Sequence, residues 1–153
     1  MVIKKSRLHR NLHQDMSQRD KLPVSRISHD HHHGLVMSQR ILDAVDNESA
    51  DFSALAAQII QFFDDYMVPH FAMEENILFP AIERERGKLA VVKKLIAEHH
   101  DMRMRVTRLR IASLEFKAAD FRQFSQILER HIRKEEKILS GNTQRTDRSR
   151  RTR

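Results

Sequence analysis

Two stretches of this sequence place a base and an acid at a spacing that could hold a metal ion. His70-Phe71-Ala72-Met73-Glu74-Glu75-Asn76-Ile77-Leu78 and His131-Ile132-Arg133-Lys134-Glu135-Glu136-Lys137-Ile138-Leu139 both read H-x-x-x-E-E-x-I-L. Residues four apart on a helix lie one above the other. His70 therefore points with Glu74, and His131 with Glu135. Glu75 and Glu136 are turned off that face and read as solvent carboxylates. Both pairs fall between apolar positions. Tyr66, His70, Glu74 and Leu78 make one ladder; Leu128, His131, Glu135 and Ile138 or Leu139 make a comparable stripe. A carboxylate in a core is costly unless it is paired or bound to a cation. One H-x-x-x-E alone is a common surface salt link, and a proton-linked network without metal is a second explanation. Two copies on core faces favour a metal.

The remaining runs supply further imidazoles. Glu98-His99-His100-Asp101 carries His99 on the stripe of Leu95, Met102 and Val106, with His100 turned away. His29-Asp30-His31-His32-His33-Gly34-Leu35 puts His31 on the approximate apolar face, with His32 as the reserve. The candidate set is His31, His70, Glu74, His99, His131 and Glu135. Four histidines and two carboxylates suit two ions better than one. Each ion takes two histidines, both glutamates bridge, and a bridging oxo, hydroxide or water completes the shells. Nitrogen and oxygen donors point to iron or manganese, with zinc also compatible; no thiolate draws the preference toward copper(I). Tyr66, one turn from His70, reads first as an ordinary core tyrosine and second as a hydrogen-bond donor near the pocket; Arg103, one turn from His99, reads equally as a partner for a ligand carboxylate or as a surface-directed guanidinium.

Long helices must carry these side chains. The chain has 153 residues, 40% hydrophobic and 32% charged, enough for one domain with a core of its own. Glycine and proline number 3 each, too few for a turn-rich β fold. Four periodic runs stand out: about Ser25 to Ala44 or Asn47, Phe52 to beyond Ile82, Lys88 to Ala112, and Ala118 to Leu139. Asp51 or Ser53 caps the second, Pro69 bends it just before His70, Gly87 ends it, and Gly141 stops the fourth. The apolar markers include Ile77 in the second run and Ile96 in the third. Short connections between such runs make an all-α, antiparallel up-and-down four-helix bundle.

The ends are of another character. Residues 1–24 form a basic arm in which His9 and His13 read as a surface pair, and residues 25–139 form the metal-binding domain. Residues 140–153 are an arginine-rich tail expected to be disordered, with five arginines against one aspartate out of a net charge of +7. No aromatic platform accompanies those arginines, so no specific nucleic-acid binding is expected. No run is long enough for a membrane span, and no secretory signal opens the chain. Cysteine is absent, and a cytoplasmic location is expected. Oligomeric state is left open.

The sequence resembles the hemerythrin-like, or HHE cation-binding, domain over about residues 25–139. The likeness rests on HDHHHGL, HFAMEENILFP, AEHHDMR and HIRKEEKIL in that order. It implies a four-helix bundle with a non-haem di-iron centre, and by motif the same six ligands. Oxygen-carrying members have five histidines, with H-x-x-x-H on the third helix and a late aspartate. Here Arg103 stands four after His99, and Glu135 four after His131. The pattern is that of the four-histidine, two-glutamate branch, which implies oxygen or nitric oxide as ligand and a setting in oxidative or nitrosative stress. The cysteine-bearing N-terminal region found in related iron–sulfur repair proteins is missing. Binding or sensing of the gas is the first expectation. A peroxidase-like or nitric-oxide-reducing enzyme, which would need an electron donor, and an iron store or buffer are the alternatives.

Overall fold

The computed structural model describes residues 21–140, with side chains from Ser25 onward. His9 and His13, Gly141 and the basic tail lie outside the described residues. Four helical stretches account for the rest, and no strand occurs among the described residues. Helix α1 spans Lys21–Val45 and so includes residues 21–24, which the sequence alone assigned to the arm. Helix α2 covers residues 52–86 in five abutting segments, α3 spans Ala90–Ala112, and α4 spans Ala118–Leu139. A 3₁₀ turn, Ser113–Glu115, joins the last two.

Local chemistry sets the ends. The Asp51 carboxylate accepts from the N–H groups of Ser53 and Ala54 at 3.0 and 3.1 Å, which starts α2. Gly87 closes it with a φ of 78°, a left-handed conformation that a side chain disfavours. Leu89 is extended before α3, so Lys88 falls outside the helix. The Asp120 carboxylate accepts from the Lys117 N–H at 2.9 Å at the start of α4.

Each helix adjoins two others: α1 packs on α4 and α2, and α3 packs on α4 and α2, closing a four-helix bundle. The α1–α4 contact is the most intimate. A Cβ on Gly34 would stand 2.4 Å from Ile132 Cδ1, so any other residue here would have to displace that side chain. Higher on the same seam, the Ser38 hydroxyl donates to the Ser125 carbonyl at 3.0 Å and the Ser125 hydroxyl to that of Ser38 at 2.9 Å. Both serines are buried and satisfied.

The apolar interior falls into two clusters. Met37, Ile41, Ile59, Met67, Phe71, Met102, Val106, Phe121, Leu128 and Ile132 belong to the larger. Ile27, Leu78, Phe79, Ile82, Val92, Leu95 and Ile138 make the smaller. His31 lies between Ile27 and Met37 along α1, His99 between Leu95 and Met102 along α3, and His131 and Glu135 between Leu128 and Ile138 along α4. A buried polar layer therefore separates the two apolar halves. Two expected core markers lie outside: Ile77 is 52% and Ile96 42% exposed. The spacing Val92, Leu95, His99, Met102, Val106, Leu109 fills the inward stripe of α3 and leaves Ile96 off it. No described helix is long and apolar enough to cross a membrane.

Candidate metal centre

Helix α2 owes its register to two π turns, Phe63–Met67 and Glu74–Leu78. The N–H of Val68 bonds back to Phe63, and that of Phe79 to Glu74, five residues earlier. Pro69 and Pro80 follow one residue after these closures. A proline has no N–H to give and crowds the carbonyl four residues back; a wider turn relieves both problems. Pro69 thus brings a π turn where the sequence suggested a simple bend, and Pro80 brings a second. The inserted residues help place His70 and Glu74 inward while Ile77 stays out.

All six sequence-predicted candidates meet. His31, His70, Glu74, His99, His131 and Glu135 are buried, none more than 2% exposed. Their donor atoms form two groups, His31, His70, Glu74, Glu135 and Glu74, His99, His131, Glu135, each with its atoms within 4.8 Å of one another. His31 enters the set; its reserve, His32, is exposed, and so is His100. The inward nitrogen is Nε2 in every imidazole. His31 Nε2 lies 2.8 Å from Glu135 Oε2, and His70 Nε2 3.0 Å from Glu74 Oε1. His99 Nε2 lies 3.2 Å from Glu74 Oε2, and His131 Nε2 2.6 Å from Glu135 Oε1.

The outward nitrogens are held too. Nδ1 of His70 bonds to Asp30 at 3.2 Å, that of His99 to Glu75 at 2.7 Å, and that of His131 to Glu98 at 2.8 Å. His31 Nδ1 has Glu136 at 4.0 Å. A carboxylate on Nδ1 fixes the ring and directs the Nε2 lone pair inward, an arrangement recurrent in metal-ligating histidines. Glu75 is tied further to Arg103 at 2.9 Å, whose guanidinium lies 5.4 Å over the Phe71 ring. Glu98 is tied to Lys134. Phe71 stacks on His99 at 3.8 Å between centroids, and Phe79 lies nearly parallel to it at 5.8 Å.

Electrostatics follow from this crowding. Burial alone depresses the histidines, yet Glu135 and Glu74 reverse it and carry His70 up to about 10 and His99 up to about 9. His31 and His131 also rise against burial, with Glu135 as their foremost carboxylate. Burial pushes Glu74 and Glu135 up, but the surrounding imidazoles outweigh it and hold both below the usual carboxylate range. Two buried anions thus demand positive charge, from protons or from a metal.

Residues 8–141 match the family model of the hemerythrin HHE cation binding domain. The chain belongs to that family. No curated protein and no solved structure matched it. As an HHE cation-binding domain, it carries donors that fit a cation. Both Glu74 oxygens are buried without a hydrogen bond among the described residues, although two Nε2 atoms stand within 3.2 Å. Donors aimed at a shared point, rather than at each other, produce that combination. The chemistry agrees, since imidazole and carboxylate are ligands for divalent transition ions.

The reading of Glu75 needs correction, and the pocket-facing alternatives for Tyr66 and Arg103 are not met. Tyr66 stacks on His33 at 4.6 Å and on Phe62 at 5.7 Å, and no hydrogen bond joins it to the six residues. The π turn that contains it ends the simple four-residue ladder to His70. Arg103 pairs with Glu75, a carboxylate outside the six. Glu75 is not a solvent carboxylate; its side chain is 27% exposed and bonded to His99, whereas Glu136 is exposed. The residues missed outright are Asp30 and Glu98. Each directly precedes a candidate ligand in the chain, and that adjacency was the available signal.

Proposed function

We propose that this HHE domain holds two non-haem iron ions and binds or senses a diatomic gas, oxygen or nitric oxide. The observation that carries the reading is how Glu74 and Glu135 divide the cluster. Glu74 Oε1 and Glu135 Oε2 face His31 and His70; Glu74 Oε2 and Glu135 Oε1 face His99 and His131. Two compartments sharing both carboxylates suit a pair of ions. Manganese and zinc accept the same donors, but zinc has no redox chemistry to offer a diatomic gas. Reduced iron supplies electron density that such a gas can accept.

Among the described residues, the buried groups favour binding over reduction. Reducing oxygen or nitric oxide consumes protons, and the buried polar side chains besides the six are few. Asp30 is bonded to His70, and Ser38 and Ser125 are bonded to each other. Tyr66 is stacked away on His33. No buried side chain besides the six is therefore a free proton donor among the described residues, while Phe71 and Phe79 stack along His99, which is fully buried.

Elemental analysis of the 153-residue chain, purified without added metal, tests the loading, with about two irons per chain expected. Anaerobic spectra under oxygen or nitric oxide test the gas, with changes that reverse on its removal. Iron absent even after anaerobic reconstitution with ferrous salt overturns the reading. Sustained turnover with a supplied electron donor replaces binding with redox catalysis.

A further inference from the structure

We infer that His29 and His33 form a separate, solvent-facing site for a divalent ion of the zinc, nickel or copper class. The two stand four apart on α1, and their Nε2 atoms lie 3.3 Å from each other. Nitrogens that close either share one proton or grip one ion. Histidines at i and i+4 on a helix are a spacing that binds zinc. Their ring centroids are 4.4 Å apart at 66°, so the nitrogens converge while the rings avoid face-to-face stacking. The His29 side chain is 65% exposed, which opens the pair to ions from solution.

The neighbours prepare the pair. Tyr66 stacks on His33 with the planes 28° apart, and Phe62 stacks behind Tyr66. One arm of the chelate is thereby oriented in advance, which lowers the cost of ordering it on binding. Asp30 Oδ1 lies 4.0 Å from His29 Nδ1 and adds negative charge beside the site. The same carboxylate holds His70 through its other oxygen, so the outer pair adjoins the buried cluster without sharing a candidate ligand with it. Two protein nitrogens leave the other coordination positions to water, so this ion exchanges readily. Imidazoles without a thiolate select borderline divalent ions over copper(I). His32, within the same run, is exposed and takes no part.

The pair's position supplies its own reporter. Tyr66 is the sole tyrosine, and tryptophan is absent. Paramagnetic Ni²⁺ held by His33 therefore quenches the emission of the residue stacked on it. The 153-residue chain is exposed to ferrous iron under anaerobic conditions and then titrated with Ni²⁺, with bound nickel counted by equilibrium dialysis. The wild type is expected to bind one more Ni²⁺ per chain than His29→Ala, and to show a phase of Tyr66 quenching that the variant lacks. His29 projects into solvent, so the helical circular dichroism of H29A stays that of the wild type. H33A repeats the loss of bound nickel, and H32A keeps both nickel and quenching. Equal nickel content and equal quenching in wild type and H29A overturn the inference. The comparison holds whether or not iron enters the buried donors, so its failure is distinct from failure of the di-iron reading.

Discussion

Glu74 and Glu135 divide their oxygens in the same manner: each offers one to His31 and His70 and the other toward His99. Both are buried, and they come from different helices. Neither would be tolerated at this depth without compensating positive charge. The bundle is thus built around a charge requirement as much as around apolar packing.

Glu74→Ala removes half of that arrangement. At least one metal ion per chain is expected to be lost, as read by elemental analysis. The metal-free fold suffers too, because imidazolium charge is left without its partner. Breaking a buried pair from one side costs about 3–5 kcal/mol, visible in denaturant unfolding. Unchanged metal content in E74A would refute the shared-ligand role.

Gly34→Ala tests the seam that brings His31 to Glu135. The new Cβ meets Ile132 Cδ1, the tip of a buried side chain that must shift to admit it. Overpacking of this kind costs about 1–3 kcal/mol. Forcing α1 from α4 should also weaken metal binding, since the two helices carry His31, His131 and Glu135. Adding Ile132→Val deletes the offending Cδ1. The double variant G34A/I132V should recover much of the loss in melting and metal titration, a coupling that two independent effects would not show.

The sequence made the six inward residues legible because four-residue spacing and an apolar stripe both report direction from one helix. It could not report which carboxylate meets which outward nitrogen. Asp30 follows the chain into His31 yet bonds to His70 on α2, and Glu98 precedes His99 yet bonds to His131 on α4. Glu75 follows Glu74 and reaches His99 on α3. Each supporting carboxylate is a chain neighbour of one candidate ligand and serves another across the bundle. Such a relation exists only after packing. The π turns were hidden for a related reason: Pro69 and Pro80 announce a perturbed helix but not the extra residue that absorbs it.

Glu98→Gln addresses one of those supports. Its hydrogen bond from His131 outweighs burial and, with Lys134, holds the Glu98 carboxyl down at about 2. A depressed carboxyl stabilises the fold above the unfolded value of 4.5 and loses that contribution as pH falls toward about 2. The acid branch of the wild-type melting curve should therefore be flatter in E98Q. Metal affinity should fall by about 10–100-fold, the usual effect of removing such a partner. Competition against a chromophoric chelator measures it, and an affinity equal to that of the wild type would show His131 to be oriented by packing alone.

Alkaline pH should act in opposite directions on the metal-free fold and on metal uptake. Burial lowers His70 and His99, but Glu135 and Glu74 raise them to about 10 and about 9 from 6.5. The folded metal-free chain keeps these protons where the unfolded chain sheds them. Their stabilisation is complete below 6.5, declines above it, and is gone beyond about 10. The melting temperature of chelator-treated protein should accordingly fall across that window. A metal needs each Nε2 without its proton, so uptake in the same window releases protons and tightens as pH rises. Adding Zn²⁺ to the metal-free chain in weak buffer with an indicator dye reads the release directly. Uptake without released protons, or a metal-free melting temperature that climbs over this range, would mean that the imidazoles are already neutral and that the two glutamates draw their compensation from elsewhere.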